Sequence, residues 1–224
     1  MAKGKGLDYR PIVDCWILAR SKRTRAPGEE VPSRYYGSYP AGFLERARAL
    51  LGVNLTDSVL HVCAGRVRQY PYRRGFGKAD MTLDLDPACE PDFLQDARKE
   101  FPPFHHPALI ETTITMDNEA KVAGEPGGFL NALVERWPAV LIDPPYTPED
   151  AVKYAPGASV LPPPNLLLKN GLAAVRPGGR VGMLHYTLPQ PPRGAGVVLV
   201  AVVTVIVGYN NRDRIYSVYE RALE

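Results

Sequence analysis

Cysteine is scarce in this sequence. Only Cys15, Cys63 and Cys89 occur among 224 residues, too far apart for a zinc-type pair or a disulfide framework. That usage suits a reducing cytoplasm. Long apolar runs are missing as well. The longest, Val197 to Val207, falls well short of the roughly 20 residues a membrane helix needs, so it reads as a buried strand. The opening MAKGKG lacks the apolar stretch of a secretory signal. Metal-ligand spacing is absent too: His105 and His106 follow Pro102-Pro103 in a loop, with no further ligands at suitable positions. No internal repeat and no large separate recognition domain are visible. The disulfide-stapled, membrane-spanning and zinc-binding classes are thereby set aside.

Excess charge of one sign is also lacking. The net charge of +3 selects no partner, but its distribution says more. Arg66, Arg68, Arg73, Arg74 and Lys78 share one short segment without an acid, interleaved with Tyr70, Tyr72 and Phe76. Phosphate backbones attract such patches, and aromatics stack on bases. A solvated surface face would look the same. The N-terminal stretch is basic as well, so residues 1–34 read as a basic extension ahead of one domain over 35–224.

What is present is a series of short apolar runs bounded by turn residues. Residues 58–63, 81–86, 92–95, 139–142 and 181–185 read as strands buried on both faces, as in a parallel sheet. Helical periodicity lies between some of them, at 41–51, from 130 to 134, and at 165–175. Arg176-Pro177-Gly178-Gly179 reads as a turn. Residues 196–207 and 214–220 form an expected antiparallel hairpin around Tyr209-Asn210-Asn211. The alternation argues an α/β fold.

The sharpest chemical signal is Asp143-Pro144-Pro145-Tyr146, directly after a buried apolar strand. Ligands of α/β sheets bind at that edge. The prolines stiffen the loop and remove two backbone donors, so it presents acceptors: the Asp143 carboxylate and the Pro144 carbonyl. Two acceptors in a fixed fork suit an exocyclic amino group, which offers two N–H bonds. Tyr146 adds a flat face for a ring.

On these residues the chain resembles the amino methyltransferases of the Rossmann-like class, which use S-adenosyl-L-methionine and carry a D/N/S-P-P-Y/F motif. The resemblance implies a seven-stranded, mostly parallel sheet with helices on both faces. It implies that Asp143 and Pro144 hold the target amino group, that Pro145 stiffens the corner, and that Tyr146 stacks on a flipped base. Asp in the first place is more like enzymes of N6-adenine than of N4-cytosine.

Other segments carry the same resemblance. His61, Cys63, Ala64 and Gly65 stand where the family has its glycine-rich cofactor loop, with His61 in place of the usual acid and Cys63 in place of the first glycine. Asp84 follows Gly65 by about 20 residues, the spacing of an acid that holds a ribose diol, with Asp86 the competing candidate. Asp96 is similar to the acid that meets the cofactor's adenine. Tyr39, Pro40 and Gly42 resemble the motif that closes over its methionine end. Leu168-x-x-Gly171-Leu172 and the turn after it resemble the lead-in to the fifth strand.

The implied activity is methyl transfer to N6 of adenine in DNA, without a metal or a covalent nucleophile. N4-cytosine and RNA bases remain open, as does a non-catalytic nucleic-acid binder with this fold. Residues 104–128 are a candidate insertion. Residues 147–164 read as a long loop that orders over the flipped base, with Lys153 and Tyr154 contacting the backbone. Specificity is expected from the insertion, the basic segment or a second subunit of a homodimer.

Overall fold

The computed structural model describes residues 11–18, 39–69, 74–104, 136–154, 161–194, 196–207 and 213–223. They form one eight-stranded sheet. Its strands are β1 (Ile12–Leu18), β2 (Val59–Val62), β3 (Met81–Asp84), β4 (Phe93–Leu94), β5 (Trp137–Ile142), β6 (Val175–His185), β7 (Val197–Val207) and β8 (Arg214–Arg221). Their spatial order is β1-β7-β8-β6-β5-β2-β3-β4. Every neighbouring pair is parallel except those of β8, which runs against both β6 and β7. This is the expected mostly parallel sheet with an antiparallel C-terminal pair, the arrangement of the methyltransferase fold, with one strand more.

The extra strand is β1. It lies within the stretch read as a basic extension and pairs in parallel with β7, Ile12 opposite Ala201 through Leu18 opposite Val207. Trp16 explains its docking. The indole is buried against Phe43 and Tyr216 at centroid distances of 6.1 and 5.7 Å.

Two cores cover the two faces, because side chains alternate along each strand. Val59 and Leu184 point to the first, with Phe43, Ala47, Val203 and Tyr216. Leu60, Val62 and Met183 point to the second, with Trp137, Leu167, Leu168 and Val181. Helix α1 (Phe43–Leu51) supplies the first face. Gly52 ends it at φ 70°, a left-handed turn that glycine adopts without steric cost. Helix α3 (Pro164–Ala174), which opens on Pro164, supplies the second through Leu167, Leu168 and Leu172.

Two further readings differ from the structure. Helix α2 (Pro148–Tyr154) occupies part of the segment expected as a loop. Thr147 explains it: its carbonyl accepts from Ala151 N at 2.9 Å, its hydroxyl accepts from Asp150 N at 3.2 Å, and Pro148 follows at the first helical position. Strand β6 begins at Val175 rather than 181. Trp137 pairs with Val175 and Ala139 with Arg180, so the turn residues 176–179 sit inside the strand as an irregularity. The expected antiparallel hairpin is present: the chain after Val207 returns as β8, which lies between β6 and β7. The helix expected at 130–134, and the insertion beyond Phe104, lie outside the described residues.

The sheet order sets the location of the site. From β2 the chain moves outward to β3 and β4 on one side, then returns to β5 and β6 on the other. Beside the carboxyl ends of β2 and β5 the order reverses, and a crevice opens there in folds of this kind.

Candidate active site

Val62 is the last residue of β2, and the chain turns sharply after it. Cys63 takes φ 55° and Gly65 φ 53°, both left-handed. Glycine tolerates that region; a residue with a Cβ is rare in it. Cys63 thus takes a conformation that glycine favours. The loop is tied to β3: Cys63 N donates to Leu83 O at 2.8 Å, and Gly65 N donates to Asp84 Oδ2 at 2.8 Å. The second Asp84 oxygen accepts from Asp86 N at 3.0 Å. Burial pushes the Asp84 carboxyl above the usual carboxylate range, against these amide hydrogen bonds. Asp86, the alternative, caps the turn Pro87–Cys89 by accepting from Ala88 N at 2.9 Å. The geometry therefore joins Asp84, not Asp86, to the loop.

Asp143 follows β5 on the other side. Its amide continues the ladder, donating to Val62 O at 3.1 Å, which sets it beside the loop. The convergence registers on the half-buried Cys63 thiol. Burial raises it well above its ordinary value, and the charges of Asp84, Asp143 and Asp96 add to the shift. Three acids from three separate strand ends thus lie near enough to act on the Cys63 charge, and Asp84 is also hydrogen-bonded to the loop. Tyr39 joins them. It is buried, stacked on Phe43 at 5.5 Å and 14°, and its phenol is raised by burial and then by Asp143 and Cys63. Pro40 beside it is buried and accepts from Phe43 N at 3.0 Å, and Gly42 turns at φ 79° into α1.

Asp96 is committed in part. Arg98 Nε lies 3.0 and 2.9 Å from its two oxygens, and that guanidinium holds the carboxyl below its usual range. His61 lies under the loop, almost wholly buried. Its Nε2 is 3.1 Å from Asp80 Oδ2 and its Nδ1 is 3.4 Å from the Tyr39 hydroxyl. Nε2 thus faces a carboxylate and Nδ1 faces a phenol, a partner at each ring nitrogen. Among the described residues, His61 meets the site through Tyr39.

Around Asp143 and Tyr146 the structure assembles groups from three strands. The Tyr146 hydroxyl donates to Asp143 Oδ1. Its ring is 4.6 Å from Tyr186, tilted by 38°, and 5.7 Å from His185, nearly edge-on. The Arg214 guanidinium lies over the ring, 4.9 Å from its centroid. Burial raises the Asp143 carboxyl, while the Arg214 charge and the Tyr146 hydroxyl oppose the rise. Pro144 is buried and Pro145 half-buried, as a stiff corner requires.

Sequence reasoning did not single out Arg214, Tyr186, Asp80 or Arg48. Asp80 is buried and accepts from Arg48 Nη1 at 2.9 and 2.8 Å, from Val59 N at 3.0 Å and from Gly77 N at 2.7 Å. One signal was available: an arginine on the apolar face of α1 demands a buried acid. The basic segment is less free than its sequence suggests. Arg68 bonds Asp92, Arg74 Nε is 2.7 Å from Glu45, and Arg66 and Lys78 are exposed. Arg73 and the side chains of Lys153 and Tyr154 lie outside the described residues, as do His105 and His106. No described helix is long and apolar enough to cross a membrane.

No protein-family model matches this chain, and no curated protein matches it. Solved structures do. TrmN from Thermus thermophilus is 16% identical, over 82% of this chain and 49% of its own, at a TM-score of 0.42. The rRNA methyltransferase aviRa from Streptomyces viridochromogenes is 15% identical, over 88% of each chain, at 0.42. The N-methyltransferase NodS from Bradyrhizobium japonicum is 10% identical, over 80% of this chain and 97% of its own, at 0.41. The chain spans about half the length of TrmN. At such identities and scores, the fold rests on the strand order and register described above, and the site rests on its own residues.

Proposed function

We propose that this protein transfers a methyl group from S-adenosyl-L-methionine to the exocyclic amino group of a nucleic-acid base, N6 of adenine in DNA first among them. One observation carries the reading: Asp143, the acid of the Asp-Pro-Pro-Tyr corner, hydrogen-bonds through its amide to Val62, the residue that opens the Cys63–Gly65 loop. The acceptor for an amino group and the loop for a methyl donor are therefore immediate neighbours. The strand-end acids fit the donor. Asp84 is half-buried, and beyond its bonds to the Gly65, Asp86 and Leu85 amides the carboxylate keeps acceptor capacity for a ribose hydroxyl. The left-handed turns at Cys63 and Gly65 allow close backbone approach.

The cofactor, when bound, supplies an electrophilic methyl on a sulfonium. The protein's own residues orient the nucleophile. Asp143 and the Pro144 carbonyl take the two N–H bonds of the amino group and draw its lone pair out of the ring's π system. The same acceptors stabilise the positive charge that grows on nitrogen. Alignment supplies the rest. A base inside a duplex hides its amino group, so the substrate is flipped or single-stranded.

The test pairs cofactor titration with nucleoside mass spectrometry after incubation with DNA or RNA. Asp143→Ala is expected to lower transfer by about 100-fold or more and to leave the cofactor Kd nearly unchanged. Full activity in that variant overturns the reading. Methylated cytosine or RNA would redirect the substrate and keep the chemistry. Cofactor or nucleic-acid binding without any transfer would make the chain a binding module.

A further inference from the structure

β5 and β6 run side by side and leave the sheet at one edge. Ile142 pairs with Met183, so the Asp143-Pro144 corner that follows β5 lies at the same end as His185, the last residue of β6. His185 is partly exposed there. Its ring lies 5.7 Å from the Tyr146 ring, nearly edge-on, and the Tyr146 hydroxyl donates to Asp143. One tyrosine thus touches both the carboxylate of the corner and this imidazole.

The hydrogen on the imidazole is placed by its neighbour. The Thr187 amide donates to His185 Nδ1 at 3.1 Å, and Thr187 Oγ1 lies 2.9 Å from the same nitrogen. A main-chain N–H can only donate, so Nδ1 is the acceptor. Burial holds the imidazole below its usual range, with the Thr187 backbone opposing the shift, so the ring is neutral near pH 7. A neutral ring whose Nδ1 accepts carries its one hydrogen on Nε2. The edge therefore offers two kinds of group within one tyrosine's reach: acceptors at Asp143 and Pro144, and a neutral donor at His185.

A donor beside an acceptor is the complement of an N=C–NH2 unit, in which a ring nitrogen accepts next to the carbon that bears the amino group. Adenine presents this unit at N1 and N6, and cytosine at N3 and N4. On the Watson–Crick edge of guanine the amino group stands beside an N–H, which would set donor against donor. The ring nitrogen is available in a base that is flipped or single-stranded.

We infer that His185 is a specificity-determining residue whose Nε2–H donates to the ring nitrogen beside the target amino group, N1 in adenine. The inference rests on the base-methylation reading above. It adds a second point of recognition to the amino group, and two points fix the rotation of the base in its own plane.

The experiment measures Kd for single-stranded oligonucleotides in the presence of S-adenosylhomocysteine. The central residue is adenine, 1-deazaadenine, 7-deazaadenine or an abasic site. The wild type is expected to bind the adenine probe about tenfold more tightly than the 1-deaza probe, because a C–H in place of N1 leaves the His185 donor without an acceptor. The 7-deaza probe keeps N1 and is expected to bind like adenine. His185→Ala is expected to bind adenine and 1-deazaadenine alike. His185→Gln, whose amide N–H restores a donor, is expected to regain part of the preference.

If His185→Ala keeps the wild-type ratio of adenine to 1-deazaadenine, the inference is overturned, even where both affinities fall together as a merely structural role would make them. A penalty with 7-deazaadenine in place of 1-deazaadenine overturns it as well. Methyl transfer to adenine by a wild type that shows no 1-deaza penalty removes this inference alone. A wild type that binds the abasic probe as tightly as adenine and transfers no methyl group sinks the base reading and this inference with it.

Discussion

Cys63 shows how much one backbone angle says about a site. The residue takes φ 55° although it carries a Cβ, and a left-handed conformation costs such a residue about 1–2 kcal/mol. The neighbouring hydrogen bonds hold it there, Cys63 N to Leu83 O and Gly65 N to Asp84. Strain of this kind is kept where surrounding structure demands it, often at ligand loops. The expected consequence inverts the usual order of two substitutions. Cys63→Gly should be more stable than Cys63→Ala by about 1 kcal/mol, because only glycine escapes the penalty. Urea unfolding of the pair decides it, and alanine at or above glycine would contradict it. The sequence shows a cysteine at this turn, but the angle itself is a property of the folded loop.

At the scale of elements, β1 and α2 are informative because neither was anticipated. β1 was obscured by its charged neighbours, since a run of Lys and Arg on either side reads as a solvated arm. Its anchor is tertiary: Trp16 closes a cluster with Phe43 of α1 and Tyr216 of β8. Trp16→Ala should cost about 3 kcal/mol, at the low end for a buried large aromatic because the strand lies at an edge. A fall in the urea midpoint at unchanged m-value checks it, whereas a change below about 0.5 kcal/mol, typical of surface sites, would show the strand to be loosely held. α2 was legible in principle. Thr147-Pro148-Glu149-Asp150 is a capped helix start, with proline at the first position and acids in the first turn, but the prolines on both sides drew the reading toward a loop.

The whole molecule is pinned at Asp80, which ties α1 to the start of β2 through Arg48, Val59, His61 and Gly77. Burial pushes its carboxyl up, but His61, Arg48 and the Gly77 amide outweigh burial, and the net shift is downward. A carboxyl lowered in the folded state contributes stability that is present above its unfolded value near 4. That stability is lost as pH falls through the lower folded value. Thermal unfolding followed from pH 6 to pH 2 should therefore show a loss below about pH 4 that is smaller in Asp80→Ala. The variant should already be about 3–5 kcal/mol less stable at neutral pH, because Arg48 is left buried without its acid. Equal acid sensitivity in both proteins would remove Asp80 from this role.

The sequence by itself determined the alternation of strands and helices, the acceptor corner at Asp143 and the acids at the strand ends. These follow from local rules: side-chain period, proline stiffness and the bounds that turn residues impose. Only the tertiary structure decided that Asp84, Asp96 and Asp143, from three strand ends, lie near enough to act on Cys63. It also decided that Asp96, Arg68 and Arg74 are already paired, and that the reversed β8 carries Arg214 onto Tyr146. Such facts depend on which strand ends lie side by side. Strand order is set by packing and crossover geometry across the whole sheet, and residues distant in the chain leave no local mark of meeting there.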